Sequence, residues 1–240
     1  MNWIGHLSNL LVAAATVAVA ILTYYVRKAT QLQFVASMTA AFQNEWHNSR
    51  AMLMRDYLHS KDFENVLNTA IQEAYGTKIP YENISQLLER SELKGSDIDQ
   101  ERLKKFETRL RDTKYIDPLD STKALFSAYQ AMYEVLISFD RLAVIRDDPL
   151  MMEECIRRYK PPIRDLSPVL QAFIAVRIVL REHHLKNYKK DYMHLLAVLD
   201  IENPALFEKC KQGLIERGEL STKEIIDWEA IQQRHAQRRG

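Results

Sequence analysis

The first 26 residues hold no Asp, Glu, Lys or Arg, and the whole chain of 240 residues holds only six glycines and two cysteines. Each shortage excludes something. The glycines, at positions 5, 76, 95, 213, 218 and 240, are too scattered to build a phosphate-cradling loop, which removes P-loop and dinucleotide-binding folds. Cys155 and Cys210 make no disulfide framework, and neither sits in a signature for a nucleophilic thiol. HExxH, ExxH and GxSxG are absent, so zinc-protease, di-iron-bundle and serine-hydrolase patterns have no carrier. His183 and His184 follow Glu182, but neighbours on a helix point about 100° apart and cannot share a metal face. With 33 basic against 32 acidic residues, nothing argues electrostatically for a nucleic-acid surface. No catalytic, cofactor-binding or metal-ligating residue is assigned from the sequence, and no cofactor is expected.

What the amino-terminal stretch does have is a charge-free apolar run, Trp3 to Tyr25. As a helix it rises about 34 Å at ~1.5 Å per residue, enough to cross a hydrocarbon core of about 30 Å with some tilt. Trp3 stands at one end and Tyr24 and Tyr25 at the other, where amphipathic rings prefer the headgroup level. A signal peptide wants basic residues before its apolar run; here Arg27 and Lys28 follow it, and only Ala13 to Ala15 imitates a cleavage site. A buried core helix more often has about 10–14 apolar residues. Residues 1–26 are therefore expected to be a transmembrane anchor.

Cationic flanks stay in the cytoplasm, which sets the amino terminus outside and residues 27–240 inside, with the lipid bilayer as one partner. The Asn83-Ile84-Ser85 sequon would then carry no sugar. Ala14 and Ala18, four residues apart, form a small face through which spans can associate, although GxxxG is absent. His6 is ionisable but lies close to the membrane edge.

Beyond Val26 the expectation is all-α. Leu32, Val35, Met38, Phe42, Trp46, Leu53 and Tyr57 step at helical spacing with no Gly or Pro between, predicting one long helix and a stalk over residues 27–60. Residues 61–240 then form a multi-helix domain. Its predicted helices run Phe63 to Ala74, Ile84 to Leu93, Ser96-Asp97 to Thr113, Asp117 or Ser121 to Arg146, and Asp148 to Tyr159. Pro161-Pro162 is expected to stop that last one, and helices over Ile163 to Glu182, Lys186 to Leu199, Pro204 to Glu216 and Thr222 to Arg234 complete the domain. No strand is expected. The mixed-sign run Glu101 to Asp112 reads as a solvated face, and the basic end, Arg234 to Gly240, as a frayed tail. Asp140 falls inside one apolar stripe and Arg50 inside another, and a buried carboxylate needs a cation or hydrogen bonds, so the two are predicted to form a structural ion pair.

Two segments resemble an uncharacterised bacterial family of single-span, membrane-anchored helical proteins. They are Glu45-Trp46-His47-Asn48-Ser49-Arg50 through Met54-Arg55-Asp56-Tyr57-Leu58, and Tyr133-Glu134-Val135-Leu136-Ile137-Ser138-Phe139-Asp140-Arg141-Leu142-Ala143. Asp140 stands where the family carries glutamate. The resemblance implies a bacterial inner-membrane location and no particular activity. The function expected is a membrane-tethered interaction or scaffold module that binds a protein partner or its own copies. Its rivals are a membrane effector or pore-former of a defence or toxin system, and an enzyme with an unfamiliar helical site around Arg50 and Asp140.

Overall fold

The structure, a computed structural model, describes residues 3–89, 97–117, 120–143, 149–179, 188–216 and 218–239. It divides into two compact units, Met1–Gln43 and Asn44–Gly240. The first is made by helix α1 (Trp3–Trp46), whose last three residues belong to the second unit. Every residue from 12 to 34 is exposed, including Val12, Ile21, Leu22 and Phe34. The stretch from Val12 onward is long and apolar enough to cross a membrane. Thr16, Thr23 and Thr30 each return a hydroxyl hydrogen bond to the carbonyl four residues earlier, at 2.8, 2.7 and 2.9 Å.

The second unit is helical, as the sequence predicts. After α1 come α2 (Ser49–Leu58), α3 (Lys61–Tyr75), α4 (Ile84–Glu89) and α5 (Asp97–Asp112). Next are α6 (Ala128–Ala143), α7 (Pro149–Val179), α8 (Tyr188–Val198), α9 (Pro204–Glu216) and α10 (Thr222–Arg239). Helix α6 is central: it packs on α2, α5, α7 and α8 and buries Met132, Leu136 and Phe139. Helix α3 lies along α5, and α4 along α7 and α9.

Caps explain many of the boundaries. Ser60 accepts from the Phe63 amide at 3.1 Å, and Gly76 ends α3 in the left-handed conformation at φ 70°. Asn203 accepts from Leu206 at 3.1 Å, with Pro204 in the first turn of α9. Ser221 and Glu224 form a reciprocal capping box: the Ser221 amide donates to the Glu224 carboxylate (2.9 Å), and the Glu224 amide to the Ser221 hydroxyl (3.3 Å). Buried Gln171 of α7 ties down the connection into α9, accepting from the Asn203 amide at 2.8 Å.

Four expectations need correction. The predicted stalk helix does not run on to Leu58: it breaks at His47-Asn48, where the Asn48 side chain accepts from the Arg50 amide at 2.9 Å and starts α2 afresh. Residues 49–58 then bury Met54, Tyr57 and Leu58 within the second unit.

A strand pair stands where a helix was expected to begin. Strands β1 (Lys114–Asp117) and β2 (Asp120–Ser127) run antiparallel, with Tyr115 opposite Phe126 and irregular register on either side of Ile116. The rings of that pair stack at 4.9 Å, and both meet Tyr57, so cross-strand aromatic packing outweighs local helix preference. Burial pushes the Tyr57 hydroxyl up to about 12.

Helix α7 runs straight through Pro161, Pro162 and Pro168. A proline inside a helix costs about 3 kcal/mol. Helix α7 sinks Tyr159, Ile163, Leu166, Leu170, Phe173 and Val176 into the core, and at about 1.5–3 kcal/mol per buried side chain that gain is the larger. Finally, the basic end is helical as far as Arg239. His183, His184 and Ser96 lie outside the described residues.

Candidate functional site

The cleft that draws most chemistry together lies where the end of α1 (residues 44–46), α2 and α6 meet. It is about 130 Å³, and its floor carries Trp46, Met54 and Val135. Trp46 is fixed from below by Phe139 (5.2 Å between ring centroids) and Tyr159 (6.2 Å). The Arg55 guanidinium lies over the ring, 3.7 Å from its centroid. These contacts follow from helix spacing: Trp46 closes α1, and Arg55 is reached after the chain turns at Asn48 and winds through α2.

Around this floor sit charged and polar groups held in pairs. Glu45 receives Arg141 Nη1 at 2.6 Å, and the Ser138 hydroxyl stands 3.1 Å from Glu45 and 3.0 Å from the Glu134 carbonyl. Glu134 is approached by Arg50 at 3.7 Å and by Gln130 at 2.7 Å. Arg55 is different. It has no carboxylate partner among the described residues, its Nη1 is buried without a hydrogen-bond acceptor, and burial lowers its pKa against the opposing pull of Asp56. A guanidinium at the edge of a cleft offers planar donors of the kind that pair with a carboxylate, and Arg55 lines this one. Beside Ser138 the Glu45 carboxylate is already paired with Arg141, and no imidazole is among the described residues that line the cleft.

The predicted Arg50–Asp140 pair does not form. Arg50 is exposed and reaches Glu134 instead, because α2 starts afresh at Asn48 and carries Arg50 to the rim. Asp140 is buried, as its place in the stripe required, and accepts from the Tyr192 backbone amide at 3.2 Å, fastening α6 to α8. Those two residues therefore make no common centre. In α1, Ala14, Ala18, Tyr24, Tyr25, Arg27 and Lys28 are all exposed, and the two tyrosine rings meet edge to face at 5.8 Å. Trp3 and His6 belong to the same helix.

Glu45, Trp46, Arg55, Glu134, Ser138 and Arg141 were not singled out as a site by composition or spacing. Their signal was nevertheless visible: they fall inside the two segments quoted above, which the fold brings together at the cleft. A second, open groove of about 500 Å³ lies between α3 and α5, lined by Glu73, Glu101, Lys104, Lys105 and Arg109. Its groups pair with one another, Lys105 with Glu101 at 2.9 Å and Arg109 with Glu73 at 3.9 Å, as a solvated face does. Among the described residues no three His, Cys, Asp or Glu side chains converge on a metal-sized point.

The comparisons are brief. No family model matches the chain, and neither curated proteins nor solved structures give a match.

Proposed function

We propose that this chain is a single-pass protein of the bacterial inner membrane, amino terminus outside, whose helical unit is a cytoplasmic interaction module that assembles with its own copies. The observation that carries the proposal is α1. Its residues from 12 to 34 are exposed without interruption, and the charge-free, largely apolar part of them, residues 12 to 26, demands lipid or another protein as cover. Arg27 and Lys28 at its end support the orientation. The cleft supports the module. Its charges are arranged for recognition, with Arg55 awaiting an acceptor, so an acidic side chain of a partner protein is the group it would take.

Cross-linking of the full chain within membranes, beside a chain lacking residues 1–26, tests the proposal. Discrete oligomers of the full chain are expected. If they persist without the span, assembly belongs to the helical unit; a monomer in both preparations would refute self-association. A membrane made leaky to ions by the full chain would instead favour the pore-forming alternative.

A further inference from the structure

Of the charges around the cleft, Arg55 alone has no ion pair. Arg141 meets Glu45 at 2.6 Å and Arg50 approaches Glu134 at 3.7 Å, so those four cancel two by two. Arg55 is left over, its Nη1 buried without an acceptor among the described residues. Asp56, next in sequence, is exposed and acts on Arg55 only through its field. A buried donor left without a partner is costly, and a ligand that supplies the acceptor recovers that cost. Beside the charges the walls are apolar: Ala51 and Met54 of α2, Val135 of α6, and Trp46 at the end of α1. The cleft measures about 130 Å³. An apolar cavity of about 150 Å³ holds a benzene ring.

We infer that the cleft also takes its carboxylate in free form: a small organic monocarboxylate on an apolar stem of about benzene size, anchored by Arg55. This rests on the reading of Arg55 given above and adds a second source for the group it takes. With the rim groups paired to one another, charge and stem carry the recognition.

Each part of the ligand answers a feature of the site. A planar carboxylate matches the planar fork of a guanidinium with two parallel hydrogen bonds. One negative charge is the matching number. A phosphate monoester brings about 1.5 to 2 charges, and the surplus would face Glu45 and Glu134 with no cation to spare. A neutral amide of the same shape leaves the guanidinium without its counter-charge. Acetate has the charge but leaves Trp46, Met54 and Val135 uncovered, forfeiting the gain from apolar burial.

Isothermal titration calorimetry of the full chain in an uncharged detergent, with micelles alone as the blank, tests the inference. Benzoate is the probe, and acetate, benzamide and phenyl phosphate are the comparisons. Benzoate is expected to bind once per chain, with each comparison weaker by about tenfold or more. Arg55→Met should weaken benzoate by about ten- to a hundredfold. Ala51→Leu, which fills the cleft and keeps Arg55, should weaken it as well. Lys105→Met, in the groove between α3 and α5, should leave it unchanged, and near-UV circular dichroism shows that each variant is folded. Benzoate that does not bind, that binds no more tightly than benzamide, or that binds equally to the Arg55→Met and Ala51→Leu variants would overturn the inference. The protein-binding reading of the cleft fails separately. If benzoate does not bind but Arg55→Met lowers the yield of cross-linked oligomers in membranes, capture of a partner's side chain stands and the free acid falls. If neither effect is seen, both fall.

Discussion

Arg177 offers the sharpest test of how the helical unit holds together. It is 3% exposed on α7, and its Nη2 lies 3.3 Å from Glu107 on α5. The guanidinium also stands 5.0 Å from the Phe173 ring centroid and 5.6 Å from that of Tyr129. Burial lowers its pKa, opposed chiefly by Tyr129 and then by Glu107. Arg177→Met keeps the stem and removes the charge, leaving Glu107 in a site where only 16% of its side chain is exposed. Breaking a buried pair in this way costs about 3–5 kcal/mol. Arg111 remains 3.4 Å from Glu107 and is itself half exposed, so the lower figure applies: about 3 kcal/mol. For a chain of this size that is a fall in Tm of about 6–12 °C. Arg177→Met combined with Glu107→Met should recover most of the loss, since apolar replacement of a whole buried pair is often neutral or better. Urea and thermal unfolding of the full chain in detergent, followed by near-UV circular dichroism, measure both variants. A loss below about 1 kcal/mol, or a double variant no more stable than the single, would refute the argument.

Three further predictions follow from other parts of the unit. Glu224 is held down to about 2, first by its hydrogen bond to Lys190 and then by Ser221, so its stabilisation is complete above the usual carboxylate value and is lost as pH falls from about 4.5 toward 2. Glu224→Gln should lower stability by up to about 1 kcal/mol at pH 7, and the difference from the parent should close by pH 2; a difference that stays constant across that window would contradict the cause given. Gly76→Ala should cost about 1 kcal/mol for its left-handed backbone alone, because a Cβ there meets nothing within 4 Å, and Gly76→Asn should cost less. Arg50→Met should change stability by less than about 1 kcal/mol, its partner being exposed, whereas Asp140→Ala removes the buried carboxylate that fastens α6 to the Tyr192 amide of α8 and should cost about 1–3 kcal/mol in the same unfolding assay.

The helices that the sequence revealed best are those with chemical punctuation at both ends. Pro204 after Asn203, Ser221 with Glu224, and Gly76 after Tyr75 each mark a backbone group that has to be satisfied, and such marks are local. What escaped was decided by partners distant in sequence. The hairpin at Tyr115 and Phe126 depends on Tyr57, nearly sixty positions before it, and its cue (Asp117-Pro118 beside Tyr115, Ile116 and Thr122) was outweighed by the helical spacing of Leu125, Tyr129 and Met132. The prolines of α7 look like a stop until the core on both sides of them is known. The cleft was hidden for the same reason. Arg50 and Asp140 were each recognised as unusual, but a helix break at Asn48 turned Arg50 toward Glu134, and no periodicity announces where a helix breaks. Trp46 and Arg55, nine positions apart, meet only because of that break.

The stacking of Arg55 on Trp46 gives the cleft an optical consequence. Indole emission responds to a charge held against its face, so Trp46 is a fluorophore built into the floor of the site. Trp228 is remote from it in the packing, set between Phe207 and His194, and Trp3 belongs to the other unit. With Trp3 and Trp228 replaced by phenylalanine, the remaining emission becomes a titration signal. An acidic ligand that draws Arg55 off the ring should change its intensity as the cleft fills, without any label attached.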